Sequence, residues 1–214
     1  AVAGDGDAAA PAAQLHELAA ATDAEALSGH YKLTADINLR GDEFDGIGSP
    51  DAPFTGVFDG NGKTISNLTI SKPGEDSVGL FRVMLGGTVK NLTVKGTSNG
   101  KNYTAGIAAI LFNGTISDCT SDVTVNGARR IGGITGYMSN DDCKLIRCAN
   151  TGNITGDDTG AVGGVCGTAN KGEINACCNS GTVTCTGNKR QTGGIAASGA
   201  AKIINCYNTG NVVT

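Results

Sequence analysis

The strongest constraint on the fold is a cysteine that recurs at a constant interval of 29 residues. The four cysteines of this series are Cys119, Cys148, Cys177 and Cys206. Three residues before each stands Ile116, Leu145, Ile174 or Ile203, and six residues after each stands Val125, Ile154, Val183 or Val212. A unit of this size is too small to bury its own apolar face. Regular spacing of this kind therefore predicts a solenoid, in which each unit buries that face by stacking on the next.

The same frame continues towards the N-terminus with shorter units. We align Leu92 and Leu68 with the anchor cysteines, and Val89 and Ile65 with the aliphatic residue that precedes them. A glycine followed by an aliphatic residue also precedes each anchor, at Gly79-Leu80, Gly106-Ile107, Gly133-Ile134, Gly164-Val165 and Gly194-Ile195. The alignment predicts coils of about 27 to 31 residues.

Composition favours β units over helical ones. Between the anchors lie short runs rich in Val, Ile and Thr, bounded by Gly, Asn, Asp or Ser, and none is long enough for an apolar helical stripe. The 34 glycines supply corners at which the chain can turn sharply. We predict an all-β fold in which parallel strands of successive coils stack about 4.8 Å apart. Because aromatic residues are only 4% of the chain, the core should consist of aliphatic ladders and not of an aromatic cluster.

Two motifs of the last coils resemble a known family. The Gly-Gly-Ile step at 193–195 and the segment Ile203-x-Asn-Cys-x-Asn-Thr-Gly-Asn-Val212 resemble the GLUG repeat of bacterial surface proteins, over roughly residues 77–214. Residues 31–39 and 54–70 are similar to the first coils of the same right-handed parallel β-helices. The resemblance implies an adhesin or filamentous haemagglutinin-like chain, or the N-terminal region of an immunoglobulin-A-specific metallopeptidase. Because the sequence has no His-Glu-x-x-His motif, that peptidase activity is not carried over.

The chain divides into three predicted regions. Residues 1–10 form a flexible N-terminal segment, 11–76 a capping helix with the first coils, and 77–214 the GLUG-like repeats of one continuous domain. The helix should run from Pro11 to Ala21, with Leu15 and Leu18 on one side. Laid across the first coil, it would cover unpaired backbone and apolar core. Packing on the flank of the solenoid is the alternative.

Charge and hydropathy limit the partners. The formal net charge is −4, and no basic run exceeds Arg129-Arg130 or Lys189-Arg190, so we expect no nucleic-acid partner. No apolar run has transmembrane length, so we expect no membrane insertion. With the resemblance, we expect a secreted or cell-surface protein. The regular last copy, up to Thr214, predicts that further repeats or domains follow in the full-length protein.

The anchor residues Leu68, Leu92, Cys119, Cys148, Cys177 and Cys206 are interpreted as an inward-facing ladder, with the thiols reduced and buried. Disulfides between neighbouring coils are the alternative. The other cysteines, Cys143, Cys166, Cys178 and Cys185, occupy positions filled by other residue types in sister coils, and no zinc site is predicted from them. The asparagines two residues after an anchor, Asn150, Asn179 and Asn208, should form a structural amide ladder. Ligand contact by these amides is the alternative.

Several acidic segments were considered as cation sites. The loop with Asp42, Glu43, Asp45 and Asp51 matches no calcium-loop pattern and is interpreted as solvated. The pairs Asp141-Asp142 and Asp157-Asp158 could share a cation or face solvent as two separate turns. Residues 59–62, Asp-Gly-Asn-Gly, predict a tight turn. We predict no metal, no cofactor and no catalytic residue.

The leading functional hypothesis is a non-catalytic extracellular module that binds a host glycoprotein or glycan, or that serves as a stalk. The alternative is a carbohydrate-active β-helix, a hydrolase or lyase of an acidic polysaccharide. Such an enzyme needs a charged cluster across neighbouring coils. An ice-binding surface requires threonines in register, and Thr93, Thr120, Thr124 and Thr155 are expected not to share one.

Overall fold

The computed structural model describes residues 10–157, 160–187 and 191–214. The predicted flexible segment up to residue 9 lies outside the described residues, as do Asp158, Lys189 and Arg190. Two helices, α1 (Ala10–Ala20) and α2 (Ala24–Leu27), precede the strands.

The strands follow one another around six coils and the start of another. Residues 30–87 contain β1 (His30–Lys32), β2 (Ile37–Asn38), β3 (Val57–Ser71) and β4 (Phe81–Leu85). Residues 88–143 contain β5 (Thr88–Asn99), β6 (Asn102–Ala105), β7 (Ala108–Phe112), β8 (Thr115–Ser117), β9 (Thr120–Gly127), β10 (Arg129–Gly132) and β11 (Thr135–Ser139). Residues 144–172 contain β12 (Lys144–Ile146), β13 (Ala149–Asn150), β14 (Ile154–Gly156), β15 (Ala161–Gly163) and β16 (Cys166–Ala169). Residues 173–214 contain β17 (Glu173–Asn175), β18 (Cys178–Asn179), β19 (Val183–Cys185), β20 (Gln191–Gly193), β21 (Ala196–Gly199), β22 (Lys202–Ile204), β23 (Tyr207–Asn208) and β24 (Val212–Val213).

Strands of successive coils pair in parallel and form three sheets. The first sheet contains β1–β3, β5, β8, β9, β12–β14, β17–β19 and β22–β24, the second β6, β10, β15 and β20, and the third β4, β7, β11, β16 and β21. Six successive pairings between adjacent coils connect seven residues: His30, Val57, Thr88, Thr115, Lys144, Glu173 and Lys202. The steps between them are 27, 31, 27, 29, 29 and 29 residues. The predicted parallel β-solenoid and its coil length are confirmed.

The aliphatic residues on either side of the anchors stack as aligned. One ladder runs through Val89, Ile116, Leu145, Ile174 and Ile203, and another through Val125, Ile154, Val183 and Val212. Between these ladders the chain turns at a residue in the left-handed conformation, which directly precedes each anchor. These corner residues are Asn91, Asp118, Arg147, Ala176 and Asn205, with φ between 52° and 54°. Because residues as different as Ala and Arg adopt this conformation, the pairing of the coils imposes it and local preference does not.

The alignment of the second coil was wrong. Leu68 lies opposite Gly96 and not opposite Leu92, and Ile65 lies opposite Val94. The partner of Val89 in this coil is Phe58. The register shifts between Asp59 and Lys63, where extra residues interrupt the pairing, and Asn61 and Gly62 have positive φ values of 52° and 73°. The predicted tight turn at 59–62 is therefore a bulge inside the continuous strand β3.

The core of the first two coils contains an aromatic cluster, contrary to the prediction. Phe44, Phe54, Phe58 and Phe81 are fully buried. The ring of Phe81 lies 5.0 Å from that of Phe54 and 5.5 Å from that of Phe58, centroid to centroid. From the third coil onwards the interior is aliphatic and thiol-lined, as predicted.

The N-terminal helix packs on this core. α1 begins one residue before the predicted start and ends one residue before the predicted end. Leu15 and Leu18 are buried in the core cluster, and the His16 ring contacts that of Phe44 at 5.3 Å. The Asp23 carboxylate caps α2 by accepting a hydrogen bond from Ala26 N at 2.8 Å. Neither helix of the described residues is long and apolar enough to cross a membrane.

Candidate ligand-binding surface

The anchor cysteines contribute hydrogen bonds as well as apolar volume. Cys148 Sγ lies 3.4 Å from the carbonyl oxygen of Ile116 and 3.5 Å from that of Ile146, either of which can accept its S–H. The backbone N–H of Cys148 donates to Cys177 Sγ at 3.4 Å. The same contacts recur one coil further on, between Cys177 and Cys206. Each thiol therefore links two coils at the left-handed corner, which the leucine at position 92 cannot do.

All eight cysteines lie in the described part of the chain, and each is a free thiol. Cys178 and Cys206 are partly exposed, and the other six are buried. Hydrogen bonding between neighbouring thiols and burial raise the pKa values of Cys148 and Cys177, and burial raises that of Cys166. Thiols with raised pKa values are poor nucleophiles and poor metal ligands. The ladder is therefore a packing element and not a reactive centre.

The three repeated asparagines form a chain of amides along the stack. Asn150 Nδ2 donates to Asn179 Oδ1, and Asn179 Nδ2 donates to Asn208 Oδ1, each at 2.7 Å. Each Nδ2 also donates, at 2.8 Å, to the carbonyl oxygen of the glycine two residues ahead. Asn150 and Asn179 are fully buried. Because both N–H groups of Asn179 are engaged inside the stack, its amide is unavailable to a ligand.

The second glycine of each Gly-Gly step makes room for these amides. A Cβ atom at Gly133 would lie 2.2 Å from Asn150 Cγ, and one at Gly164 would lie 2.4 Å from Asn179 Cγ. Gly194 faces Asn208 in the same way, and Gly106 faces Ser121. The Gly-Gly step and the Cys-x-Asn segment are thus two halves of one packing contact. The sequence shows that the two motifs alternate along the chain, but it does not show that they contact each other.

Three of the acidic residues discussed as cation ligands, Glu43, Asp45 and Asp141, make structural contacts. Asp45 pairs with Lys72 at 2.8 Å, and Glu43 Oε1 accepts a hydrogen bond from Ser71 N at 2.7 Å. Asp141 pairs with Lys171 at 3.1 Å. The other pair with which Asp141 and Asp142 could share a cation includes Asp158, which lies outside the described residues. In the described ranges, no group of three or more His, Cys, Asp or Glu side chains could hold a metal ion.

The four threonines considered do not share one register, as expected, although Thr93 and Thr120 are partners; Thr124 and Thr155 lie in other rows. Thr64, Thr93 and Thr120 are consecutive partners on the first sheet, as are Thr69, Thr97 and Thr124. The first row ends at the fifth coil, where Ala149 lies opposite Thr120. The Lys95–Asp122 ion pair, at 3.3 Å, crosses the same face. The threonine rows are therefore short and interrupted by charge.

A cluster of aromatic rings around one arginine lies where the second and third sheets meet. We call Tyr103, Phe112, Arg130, Tyr137 and Asn170 the Tyr–Arg cluster. Arg130 Cζ lies 5.0 Å from the ring centroid of Tyr103 and 5.6 Å from that of Tyr137. Arg130 Nη1 donates to the Tyr103 hydroxyl at 2.7 Å, and Asn170 Nδ2 donates to the Tyr137 hydroxyl at 2.9 Å. The Tyr137 ring lies 5.7 Å from the ring of Tyr103 and 6.1 Å from that of Phe112.

The register of the second sheet and one glycine build this cluster. The pairs Arg129–Asn102 and Ile131–Thr104 place Arg130 opposite Tyr103. On the third sheet, a Cβ atom at Gly136 would lie 2.6 Å from the carbonyl oxygen of Arg130. Only glycine lets β11 approach β10 so closely, and this approach brings Tyr137 beside Arg130.

The cluster is partly exposed, and no ion pair among the described residues neutralises its positive charge. Tyr103, Phe112, Arg130 and Tyr137 are each intermediate between buried and exposed. Within the described residues, no ion pair involves Arg129 or Arg130. Sequence reasoning noted Arg129-Arg130 only as a short basic run. The available clue was the 27-residue offset between Tyr103 and Arg130, which equals the local coil length.

Comparison with known proteins supports the fold but identifies no family. No protein-family model matches the sequence. A segment is 43% identical over 102 residues to halomucin from Haloquadratum walsbyi (strain DSM 16790 / HBSQ001). This match covers 36% of this chain and 1% of halomucin. The chain thus spans a very small part of that relative's length. The crystal structure of a "putative immunoglobulin A1 protease" from Bacteroides ovatus superposes with a TM-score of 0.71 over 96% of this chain and 75% of that one, at 19% identity. At that identity the likeness concerns the fold alone.

Proposed function

We propose that this chain is a non-catalytic, extracellular β-solenoid module of a bacterial surface or secreted protein, which holds a binding surface for a host glycoprotein or glycan on a rigid stalk. The observation that carries the proposal is that the repeated residues lie in the interior of the solenoid. The anchor thiols and the asparagine amides bond from coil to coil. What varies from coil to coil lies on the outer faces, where a partner would bind.

An extracellular setting is supported by the relatives' names. The Bacteroides ovatus protein is named as a protease of immunoglobulin A1, and the name halomucin refers to the mucins. The GLUG resemblance is to repeats of bacterial surface proteins. Surface location of the full-length protein can be tested by treating intact cells with protease. Loss of the module from intact cells is expected, and protection until the cells are lysed would contradict it.

A carbohydrate-active enzyme is the second candidate, and the Tyr–Arg cluster is the observation that favours it. Phenol hydroxyls beside a guanidinium could assist proton abstraction from an acidic sugar. Such chemistry also needs walls that exclude water. The loops that flank the cluster strands, at residues 106–107 and 133–134, are tight steps of two residues and build no wall. Binding without turnover is therefore favoured.

The test is an array of glycans and glycoproteins probed with the purified chain. Each bound ligand is then incubated with the protein, and new reducing ends and unsaturated uronate products are measured. We expect binding and no product. Product formation would overturn the non-catalytic assignment, and absence of binding to every glycan and glycoprotein would overturn the adhesive one.

A further inference from the structure

We infer that the Tyr–Arg cluster is a binding site for a carboxylate-bearing sugar unit of an acidic polysaccharide. This inference rests on the proposed function and specifies its site and ligand class. The cluster draws its side chains from three neighbouring coils, because Tyr103 lies in the third coil, Tyr137 in the fourth and Asn170 in the fifth. With coils about 4.8 Å apart it extends about 10 Å along the solenoid axis. A polysaccharide can lie along such a surface.

The distribution of aromatic residues supports a ligand role. The chain has five phenylalanines and four tyrosines, and four of the phenylalanines are fully buried in the core of the first two coils. Three of the five remaining rings, Tyr103, Phe112 and Tyr137, gather in this one cluster. Partly exposed rings that fill no core and lie side by side form a surface on which the apolar C–H face of a sugar ring can pack.

The arginine is held ready for an anion. One of its N–H groups donates to the Tyr103 hydroxyl, and among the described residues the Arg130 side chain makes no other hydrogen bond and no ion pair. Contact with two rings fixes the guanidinium plane and removes water from it. A planar fork of free N–H groups fits the two coplanar oxygens of a carboxylate. Arg129, exposed and also without an ion pair in the described ranges, adds positive charge next to it.

The backbone at the cluster turns a left-handed corner. Tyr103 and Arg130 both have φ of 56°, a left-handed conformation that bulky side chains rarely adopt. The register counterpart in the preceding coil, Ser77, has a φ of 60°, whereas Ala161 in the following coil does not have positive φ. The left-handed corner thus recurs in three successive coils, and the pairing of the coils imposes it here as it does before the anchors. Because Tyr103 and Arg130 occupy this corner in adjacent coils, their side chains lie next to each other.

The test uses the whole chain and four polymers that differ in the group they present: a carboxylate, a methyl ester, a sulfate or no charged group. Binding of polygalacturonate, its methyl ester, dextran sulfate and neutral dextran is measured by calorimetry for wild type and four variants. Arg130→Gln removes the charge, and Tyr137→Ala removes a ring. Lys144→Gln and Tyr207→Ala are matched controls, since both residues are exposed on the first sheet. Circular dichroism melts verify that each variant is folded, and Tyr137→Leu, which also lacks the ring, replaces Tyr137→Ala if that variant misfolds. A fifth variant, Tyr137→Phe, keeps the ring and serves as a further control.

We expect wild type to bind polygalacturonate more tightly than the other three polymers, and more weakly as salt increases. Arg130→Gln and Tyr137→Ala should lower the affinity at least tenfold, whereas Tyr137→Phe and both controls leave it within twofold. Equal binding of the methyl ester or of dextran sulfate would overturn the carboxylate assignment. Full affinity in Arg130→Gln would overturn the site. If wild type binds a different glycan of the array and neither cluster variant alters that binding, this inference fails and the proposed function stands.

Discussion

Substitution of Asn179 by alanine tests whether the amide ladder stabilises the stack. Asn179 makes three hydrogen bonds: it accepts one from Asn150, donates one to Asn208, and donates one to the carbonyl oxygen of Gly181. Each is worth about 1 kcal/mol net, and a buried partner left unsatisfied costs about 1–3 kcal/mol more. Because Asn179 is only 1% exposed, water cannot replace the lost contacts. We expect the free energy of unfolding to fall by about 3–5 kcal/mol.

Asn208→Ala is the matched control in the same ladder. The side chain of Asn208 makes two hydrogen bonds: it accepts one from Asn179 and donates one to the carbonyl oxygen of Gly210. It is exposed, so water can hydrogen-bond to the groups that the substitution leaves behind. The expected loss is about 1 kcal/mol or less. The comparison separates the effect of burial from the effect of the side chain.

The assay is urea unfolding followed by far-ultraviolet circular dichroism. Repeat proteins can open locally, and a local opening would appear as a lower slope of free energy against urea concentration. Hydrogen exchange of the amides in β18 and β19 would then locate the opening. Equal destabilisation by the two substitutions would refute the reasoning, because it would show that burial of the ladder contributes nothing.

Three further predictions follow from single contacts. Gly164→Ala would place a Cβ atom 2.4 Å from Asn179 Cγ and should cost about 1–3 kcal/mol, whereas Gly74→Ala, with nothing within 4 Å of its Cβ, should be silent in the same urea melt. Cys148→Val should cost less than about 1.5 kcal/mol, and Cys148→Asp several kcal/mol, since it buries a carboxylate; equal melting midpoints would show that this side chain faces solvent. The hydrogen bond from Arg147 lowers the pKa of Asp118, so its contribution is present at neutral pH and is lost as pH falls through the lowered pKa. Asp118→Asn should therefore melt below wild type at pH 7 and together with it in strong acid, and a difference that persists in acid would contradict this.

The register could be predicted wherever coils have equal length. From Cys119 onwards a constant spacing of 29 residues aligns every ladder, since one residue position recurs at one place in each coil. The prediction was wrong at Leu68 because β3 contains extra residues between Asp59 and Lys63. Sequence spacing counts residues, whereas a bulge adds residues without advancing the strand.

The packing across the solenoid could not be predicted from spacing. Gly164 lies against Asn179, and Gly136 lies against the backbone of Arg130, because segments from different sides of the coil approach each other at these glycines. A repeat alignment compares equivalent positions of successive coils and carries no information about which wall faces which. The same limitation concealed the Tyr–Arg cluster, whose members come from two different sheets.

The division of roles between interior and surface explains why a binding site would occur in the middle coils. The ladders of thiols and amides repeat the same residues in the coils that they span, so they leave little freedom inside those coils. On the second sheet, the position of Tyr103 and Arg130 is occupied by Ala161 and Gln191 in the following coils. The stack tolerates this change because outward residues make few contacts that other coils depend on. A ring and a cation can therefore be placed on two coils without altering the fold, and removing them should abolish binding while the melting curve stays unchanged.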